Sequence, residues 1–244
     1  MIERLTVPHE EAVVLDLGCS TGYLLEDLRQ TFPRAHLAGI DYVFSGLRAA
    51  QANVARAALL QADAQRLPLV SGAIDAIVSA NLLEHIPDDL EALRQMFDAA
   101  RPGASVVLVV PAGRRLYDYY DRFLHHQRRY GRHELAFKAR KVGFEVLDDL
   151  YLGSLVYPAF WIVKKRNRVC RGKLSGEPLR RQVASDIDKT KDSRLGHIST
   201  RLEKWLLARS VRLPFGVREL VKLRRPVSFT CANYLEFCAD ADCP

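Results

Sequence analysis

The sequence lacks the features of a secreted or membrane-spanning protein. Its five cysteines are scattered and form no Cys-x-x-Cys pair, which argues against a disulfide framework and favours reduced thiols. Residues 1–11 contain no apolar core of a signal peptide. The uncharged run at 150–163 has only fourteen residues and includes Pro158, whereas a spanning helix needs about 20 residues. These absences predict a cytoplasmic protein that does not cross a bilayer.

Internal repeats and low-complexity tracts are absent as well. Hydrophobic residues make up 48% of the chain and charged residues 27%, a composition typical of globular proteins. The length of 244 residues allows one α/β domain with an added segment, or two small domains.

The dinucleotide-binding pattern Gly-x-Gly-x-x-Gly is missing, although residues 13–22 predict a strand, a glycine-rich turn and the start of a helix. Counted from Gly18, that pattern requires glycine where this chain has Ser20 and Tyr23. Gly18 allows close approach of the backbone to a ligand, because it has no Cβ atom. The first N–H groups of the helix point into the same crevice. The turn therefore predicts a different ligand, or a plain strand-to-helix turn without one.

Strands and helices continue to alternate after this turn. The second predicted strand, residues 35–41, ends in Asp41, which lies 19 residues after Gly22. A ribose-binding carboxylate falls at about this distance in such units, and it accepts hydrogen bonds from both ribose hydroxyls. Three more strands are predicted, one ending near 59–64 and the others at 73–79 and 105–110.

Four motifs, in order and spacing, resemble those of class I methyltransferases that use S-adenosylmethionine (SAM). The pattern Asp16-x-Gly18-x-Ser20-x-Gly22 is similar to their first motif, with Ser20 in place of the middle glycine, and Asp41 matches their ribose acid. The resemblance covers residues 12 to about 150. It implies a Rossmann-like α/β fold, a seven-stranded and mostly parallel sheet whose sixth and seventh strands form an antiparallel pair.

The same resemblance implies SAM as the cofactor and assigns residues to it. Asp63-Ala64 matches the pair that contacts the adenine, and Asn81-Leu82 matches the residues that line the methionine end. Arg101-Pro102-Gly103 matches the turn before the fifth strand. The implied cofactor-binding residues are Asp16, Gly18, Cys19, Ser20, Gly22, Asp41, Tyr42, Asp63, Ala64, Asn81 and Leu82.

Residues 117–130 follow the fifth predicted strand and mix tyrosines, histidines and arginines. Open α/β sheets bind ligands at this carboxyl end of their strands. Arginine suits phosphate or carboxylate, and histidine can take a hydroxyl proton. The stretch resembles the His-x-Arg-Arg-Tyr segment of a methyltransferase subgroup associated with glycan or lipid-linked assembly; the alternative is a solvated loop. Predicted acceptor contacts are Tyr117, Tyr120, Arg128, Arg129 and Tyr130, and predicted catalytic bases are His126, His125 and His85. For His85 the alternative is a structural role, in which it holds the loop after the fourth strand.

A helical insertion is predicted between strand 6, at 143–147, and strand 7, at 217–223, because about 65 residues are too many for a bare loop. Residues 164–212 contain fifteen Lys/Arg and five Asp/Glu. With the preceding apolar run, this charge suits either a lid on the domain or a membrane surface contact through 150–173. The insertion is predicted to contain a linker at 175–195 and a helix at 198–209. The expected parts are the core at 1–150, the insertion at 151–212, and the final strand and tail at 213–244.

The sequence thus predicts a SAM-dependent O-methyltransferase for a small-molecule, glycan or lipid-linked acceptor. An RNA or protein methyltransferase and a non-catalytic SAM-binding partner subunit are the alternatives. Nucleic acid is disfavoured because the aromatic residues precede the cations instead of alternating with them. Glu84-His85 is similar to a metal-assisted subgroup of quinone-precursor methyltransferases, but that subgroup has an acid where this chain has Asn81, so no metal is predicted. No oligomeric state is predicted.

Overall fold

The computed structural model describes residues 1–54, 56–171, 177, 194–209 and 211–227. Seven strands form one sheet, and helices cover both of its faces. The strands are β1 (Val13–Leu17), β2 (His36–Asp41), β3 (Ala57–Gln61), β4 (Ile74–Ala80), β5 (Ala100–Pro111), β6 (Glu145–Leu152) and β7 (Arg218–Arg224). The helices are α1 (Tyr23–Thr31), α2 (Phe44–Asn53), α3 (Asp89–Ala99), α4 (Tyr119–Phe123), α5 (Glu134–Val142), α6 (Tyr157–Arg171) and α7 (Arg194–Ala208).

The strand order is β3-β2-β1-β4-β5-β7-β6. Neighbours from β3 to β5 run parallel, and β7 lies antiparallel between β5 and β6. This arrangement confirms the predicted Rossmann-like sheet with an antiparallel sixth and seventh strand. It also fixes the ligand side, because the carboxyl ends of β1, β2, β4 and β5 meet at one edge.

The core consists of two apolar layers, one on each face of the sheet. Successive residues of a strand point to opposite faces, so the neighbours Ile77 and Val78 of β4 enter different layers. Ile77 belongs to the layer that contains Leu93 of α3, and Val78 to the layer that contains Leu25 of α1. Six of the seven β4 residues are buried. Such continuous burial is typical of a parallel strand covered by helices on both faces.

Two strands are longer than the apolar pattern predicts. β5 begins at Ala100, so the predicted turn at 101–103 lies inside the strand, where a register shift and Gly103 at φ +87° absorb the irregularity. Gly103 N also donates to Arg225 O at 2.7 Å, which continues the pairing toward β7. β6 continues to Leu152, paired with Arg218, so the expected boundary at 150 falls within a strand. The third strand ends at Gln61, before Asp63.

The described parts of the insertion are helices α6 and α7. The carboxylate of Glu203 in α7 accepts the backbone N–H groups of Gly153 and Ser154, at 2.8 and 2.7 Å, and so ties α7 to the end of β6. The predicted linker at 175–195 lies mostly outside the described residues, and so does Lys173. Among the helices that the structure describes, none is long and apolar enough to span a membrane.

Candidate functional site

The glycine-rich turn after β1 adopts a backbone that few residues tolerate. Gly18 and Gly22 have φ values of +85° and +86°, and Ser20 between them has φ +46°. Left-handed backbone is strained for residues with a Cβ atom. A Cβ on Gly18 would lie 3.0 Å from Leu82, and one on Gly22 would lie 3.0 Å from side-chain atoms of α2. The turn therefore packs closely against the loop after β4 and against α2.

Two carboxylates, those of Asp16 and Asp41, lie beside this turn and differ in their hydrogen bonding. Asp41 accepts the backbone N–H groups of Ser20 and Val43, both at 2.8 Å, so its carboxylate is held in one orientation beside the turn. Asp16 is buried, and within the described residues its Oδ2 has no hydrogen-bond partner. Burial, and to a lesser degree the charge of Asp41, raises the pKa of Asp16 to about 7. A polar cation beside Asp16 would pair the orphaned oxygen and hold the acid ionised.

The other predicted cofactor residues surround the same turn. Asn81 has φ +53° and donates its N–H to Val109 O at 2.9 Å, which fixes the loop after β4. Asp63 closes its own turn by accepting Gln65 N at 2.9 Å. The side chain of Cys19 points into the core instead, so only its backbone belongs to the turn. Burial raises the pKa of the Cys19 thiol to about 12, and the thiol is therefore neutral at ordinary pH. Tyr42 is largely exposed and Ala64 is buried.

The segment predicted to bind the acceptor is organised around Asp121 of α4, which is fully buried. Its Oδ1 accepts Arg129 Nε at 2.7 Å and lies 3.0 Å from His126 Nδ1. Burial raises its pKa, but the hydrogen bond with His126 and the charges of Arg129 and Lys164 together lower it well below the ordinary value. Asp121 therefore remains ionised, accepts the Nδ1–H of His126 and leaves Nε2 of that ring available.

The insertion contributes to this centre through Lys164 of α6. Its Nζ atom lies 2.6 Å from Asp118 Oδ1 and 3.3 Å from Asp121 Oδ2, and the side chain is buried. Asp118 is also the N-cap of α4, where Asp118 and Asp121 form a reciprocal capping box. The sequence pattern placed Lys164 in a solvent-facing cationic run. The structure corrects that placement, because two buried acids on another segment pair with this lysine.

Three residues predicted to bind the acceptor are instead engaged within the fold. Tyr130 is fully buried and donates its hydroxyl to Asp89 Oδ2 at 2.8 Å. Arg129 is buried against Asp121 and donates to Ala112 O at 3.2 Å. Arg128 donates to Pro87 O at 2.7 Å and pairs with Asp89 at 3.2 Å. These contacts engage both guanidinium groups and the Tyr130 hydroxyl within the fold, and acceptor binding by the three residues stays a prediction.

The remaining predicted acceptor residues, Tyr117 and Tyr120, are half-buried at the same edge. The hydroxyl of Tyr117 donates to His126 O at 2.7 Å, and the ring of Tyr120 lies 5.5 Å from Lys164 Nζ. Both side chains therefore border the Asp121 centre.

Two of the three predicted bases meet, and the third does not. The rings of His85 and His126 lie edge to face with centroids 4.7 Å apart, next to the fully buried Glu84. Burial lowers the pKa of His85, and the charge of His126 adds to the effect. His125 is exposed, in left-handed backbone at φ +58°. Its ring is therefore the most exposed of the three.

The sequence did not single out Asp118, Asp121 or Lys164 as site residues, and it noted Glu84 only as part of a pair similar to a metal-assisted subgroup. Burial raises the pKa of Glu84 to about 7, although its own backbone and nearby positive groups lower it. The one usable signal was the spacing of Asp118 and Asp121, which matches a capping box.

Residues 14–103 match a family model described as a methyltransferase domain. This match spans 90 of the 244 residues, from β1 into β5, and includes the glycine-rich turn and the loop after β4. Trans-aconitate 2-methyltransferase of Deinococcus radiodurans is 33% identical over 111 residues, which cover 46% of this chain and 42% of that protein. Demethylmenaquinone methyltransferase of Roseiflexus castenholzii is 33% identical over 104 residues, 42% of this chain and 44% of that protein. The chain thus matches less than half the length of these curated relatives.

Solved structures share the fold of this chain at low identity. Phosphoethanolamine N-methyltransferase 2 of Haemonchus contortus, in complex with SAM, superposes with a TM-score of 0.62 at 14% identity, covering 92% of this chain and 51% of that one. The [4+2]-cyclase SpnF superposes with a TM-score of 0.59 at 18% identity, covering 89% of this chain and 75% of that one. These neighbours establish the fold and leave the reaction to be argued from the site.

Proposed function

We propose that the protein is a SAM-dependent methyltransferase that methylates a hydroxyl of a small-molecule, glycan or lipid-linked acceptor. The observation that carries this proposal is that Leu82, which lies against Gly18 of the glycine turn, accepts the N–H of His85 at 2.9 Å, while the His85 ring packs against that of His126. The orphaned Oδ2 of Asp16 and the oriented carboxylate of Asp41 suit the amino group and ribose hydroxyls of SAM. The matched domain family and the curated relatives support the same cofactor.

When bound, SAM supplies a methyl group that is already activated by its positive sulfur. The chain then has to hold the cofactor, align the acceptor oxygen in line with the methyl group and remove a proton. Asp41 would hold the ribose, and Asp63 with Ala64 would border the adenine. His126 would take the hydroxyl proton on Nε2, because Asp121 orients the ring through Nδ1.

Lipid-linked acceptors are supported by the outer face of α6. Trp161 and Ile162 are 43% and 60% exposed, and Lys165 and Arg166 beside them are exposed as well. Lys165 Nζ lies 5.0 Å from the Trp161 ring, so the apolar and cationic groups are adjacent. Each such cation is worth about 1 kcal/mol near an anionic leaflet. The membrane role is proposed for this face without Lys164, whose charge is paired inside the fold.

The cofactor assignment is tested by calorimetry with SAM and S-adenosylhomocysteine on the full chain. Affinity in the micromolar range, roughly −8 kcal/mol, is expected. Asp41→Asn should weaken it at least about tenfold, while Asp27→Asn, an exposed acid on α1, serves as the matched control. Unchanged affinity in Asp41→Asn would remove the ribose role. Methyl transfer from radiolabelled SAM into water-soluble and lipid extract fractions then separates the acceptor classes.

The membrane proposal has its own test. The protein should sediment with vesicles containing anionic lipid at low salt and stay in solution with neutral vesicles. Lys165→Glu with Arg166→Glu should release it. Charge reversal at the distant exposed Lys141 and Arg140 should have a smaller effect. If the protein remains in the supernatant with anionic vesicles, the membrane proposal fails and the insertion is interpreted as a lid on the domain.

A non-catalytic, SAM-binding partner subunit is the second candidate, and Ser20 favours it. A side chain with φ +46° stands where related motifs have glycine, and it narrows the turn. SAM binding without methyl transfer, restored by adding a partner protein, would support this alternative. An RNA or protein acceptor is the third candidate, and salt-dependent retention on RNA would favour it.

A further inference from the structure

Glu84 is the buried group whose surroundings are least complete. Its side chain has no exposed surface, and within the described residues neither carboxylate oxygen has a hydrogen-bond partner. Buried polar groups are almost always paired, and an unpaired buried carboxylate is costly. Two nearby acids, Asp118 and Asp121, are matched by Lys164 and Arg129. Glu84 is therefore left without a close positive partner of its own among these contacts.

Two imidazole rings point toward the same place as Glu84. One ring nitrogen of His85, one of His126 and one oxygen of Glu84 all lie within 4.8 Å of one another. The distance from His126 Nε2 to Glu84 Oε1 is 3.9 Å. Metal–ligand bonds to nitrogen and oxygen are about 2.0–2.2 Å long. A cation placed between the three groups reaches all of them after small side-chain movements.

The outer contact of the His126 ring is that of a metal ligand. Asp121 holds Nδ1 of His126 at 3.0 Å, which leaves Nε2 directed toward Glu84. Metal-bound histidines almost always donate their second nitrogen to a carboxylate or a carbonyl, which fixes the ring and its tautomer. The His85 ring packs edge to face against the His126 ring, with centroids 4.7 Å apart. The arrangement thus supplies three ligands together with a carboxylate that orients one of them.

We infer that Glu84, His85 and His126 bind one divalent transition-metal ion. Two imidazoles and one carboxylate suit Zn²⁺, Fe²⁺ or Mn²⁺ better than Mg²⁺, which prefers oxygen ligands. Glu84 and His85 lie in the 3₁₀ turn after β4, and the third ligand comes from the segment after β5. The resemblance to the metal-assisted subgroup argued against a metal, because Asn81 stands where that subgroup has an acid. In this fold the third ligand is His126, which lies 41 residues after His85 in the sequence.

A metal at this place changes the way in which the acceptor loses its proton, and this use rests on the proposed function. A three-ligand site leaves coordination positions for the acceptor hydroxyl, and the ion lowers the pKa of that hydroxyl. The proton then leaves to solvent, and His126 acts as a ligand instead of a base. Binding of the metal itself does not depend on methyl transfer.

The test is a calorimetric titration of the purified, chelator-treated full chain with ZnCl₂ and with MnCl₂, without SAM or acceptor. One equivalent should bind with micromolar or tighter affinity. Glu84→Gln keeps the shape and should lose more than about 100-fold, beyond the 10–100-fold typical of outer-sphere changes. His85→Gln should lose a similar factor. His125→Gln is the matched control from the same segment, and its metal affinity should stay within about twofold of wild type.

A second readout protects the test against loss of folding. Metal should raise the melting temperature of the wild type and of His125→Gln, and it should leave Glu84→Gln unchanged. No binding by the wild type at millimolar metal, or equal affinity in Glu84→Gln, overturns the metal site. Neither outcome touches the proposed methyl transfer, which fails separately if the chain binds no SAM.

Discussion

Two parts of the carboxyl edge use their polar groups in opposite ways: the surroundings of the glycine turn, proposed for SAM and called here the cofactor half, and residues 117–130, proposed for the acceptor and called the acceptor half. Around the glycine turn, Asp16 Oδ2 has no partner among the described residues, and the hydrogen bonds that Asp41 accepts there come from backbone N–H groups. In the acceptor half, Asp121 pairs with Arg129 of the same segment and with Lys164 of α6. The difference teaches that an arginine at a ligand-binding edge indicates a ligand only after its partners within the protein are known.

The largest expected effect comes from the Asp121 centre. Asp121→Asn leaves Arg129 and Lys164 buried beside a neutral group, and removing one partner of a buried pair typically costs about 3–5 kcal/mol. Denaturant unfolding should show this loss in the free energy of unfolding. The exposed control Asp27→Asn should change it by less than about 0.5 kcal/mol. A loss below about 1 kcal/mol would mean that the centre is solvated and that the contrast between the two halves is wrong.

A gain in stability, instead of a loss, is expected when Asp16 in the cofactor half is replaced by Asn. The pKa of Asp16 is about 7 in the fold and ordinary in the unfolded chain. The folded state therefore holds the proton longer, and this group makes stability fall as pH rises from about 4 to 7. Asp16→Asn carries no charge, so at pH 8 it should stabilise the cofactor-free protein by a few kcal/mol.

At pH 4 the Asp16→Asn variant and the wild type should have nearly the same stability, since both are neutral at this position. SAM affinity should fall in the variant at every pH. Thermal melts across this pH range check the first expectation and calorimetry the second. A variant that is destabilised at pH 8 would show that Asp16 has an unseen partner.

Backbone strain at the turn gives a smaller effect, for which the chain contains a matched control. Gly22→Ala places a Cβ 3.0 Å from Ala50 and Val54 at φ +86°. Gly72→Ala also has positive φ, +69°, but meets nothing within 4 Å. Both substitutions should lower the free energy of unfolding by roughly 1–2 kcal/mol because of the left-handed backbone. Gly22→Ala should lower it by about 1–3 kcal/mol more because of crowding. Equal losses in unfolding experiments would show that α2 moves away freely.

The smallest change in stability is expected for Arg128, the most exposed of the three engaged residues. Arg128→Ala should cost less than about 1 kcal/mol, because Asp89 keeps both Lys138 and Tyr130. Once the acceptor is known, the same variant shows whether this guanidinium reaches it. A raised KM for the acceptor with unchanged SAM affinity would show that Arg128 contacts the acceptor. An unchanged KM would show that its role is structural.

Local patterns predicted the backbone around the glycine turn well, and SAM binding by these residues stays a prediction. The β1 turn, its glycines and Asp41 lie within about 30 residues, and their spacing alone fixes their geometry. The sheet could be predicted for the same reason, because alternating apolar runs mark each strand. Only its ends were missed, at Ala100 and Leu152, where pairing with β7 extends strands beyond their apolar residues.

The acceptor half could not be predicted because its contacts cross long distances in the chain. Lys164 meets Asp118 across 46 residues, and Tyr130 meets Asp89 across 41. The sequence shows that charged residues are present in this segment, but only the fold determines which of them form pairs. Glu84 is the opposite case, a charged group that finds no partner among the described residues. Its neighbours in the sequence do not indicate that its carboxylate is buried in this way.

The place of β7 has a consequence for how the chain is made. β7 lies between β5 and β6 in the sheet, yet 65 residues separate the end of β6 from the start of β7. At roughly 5–20 residues per second, a ribosome needs several seconds to cross this interval. During that time β6 has no neighbour and β5 is an open edge, both of which invite pairing with other chains. A chaperone that binds nascent chains would therefore be expected to act at this stage of synthesis, before Arg218 emerges.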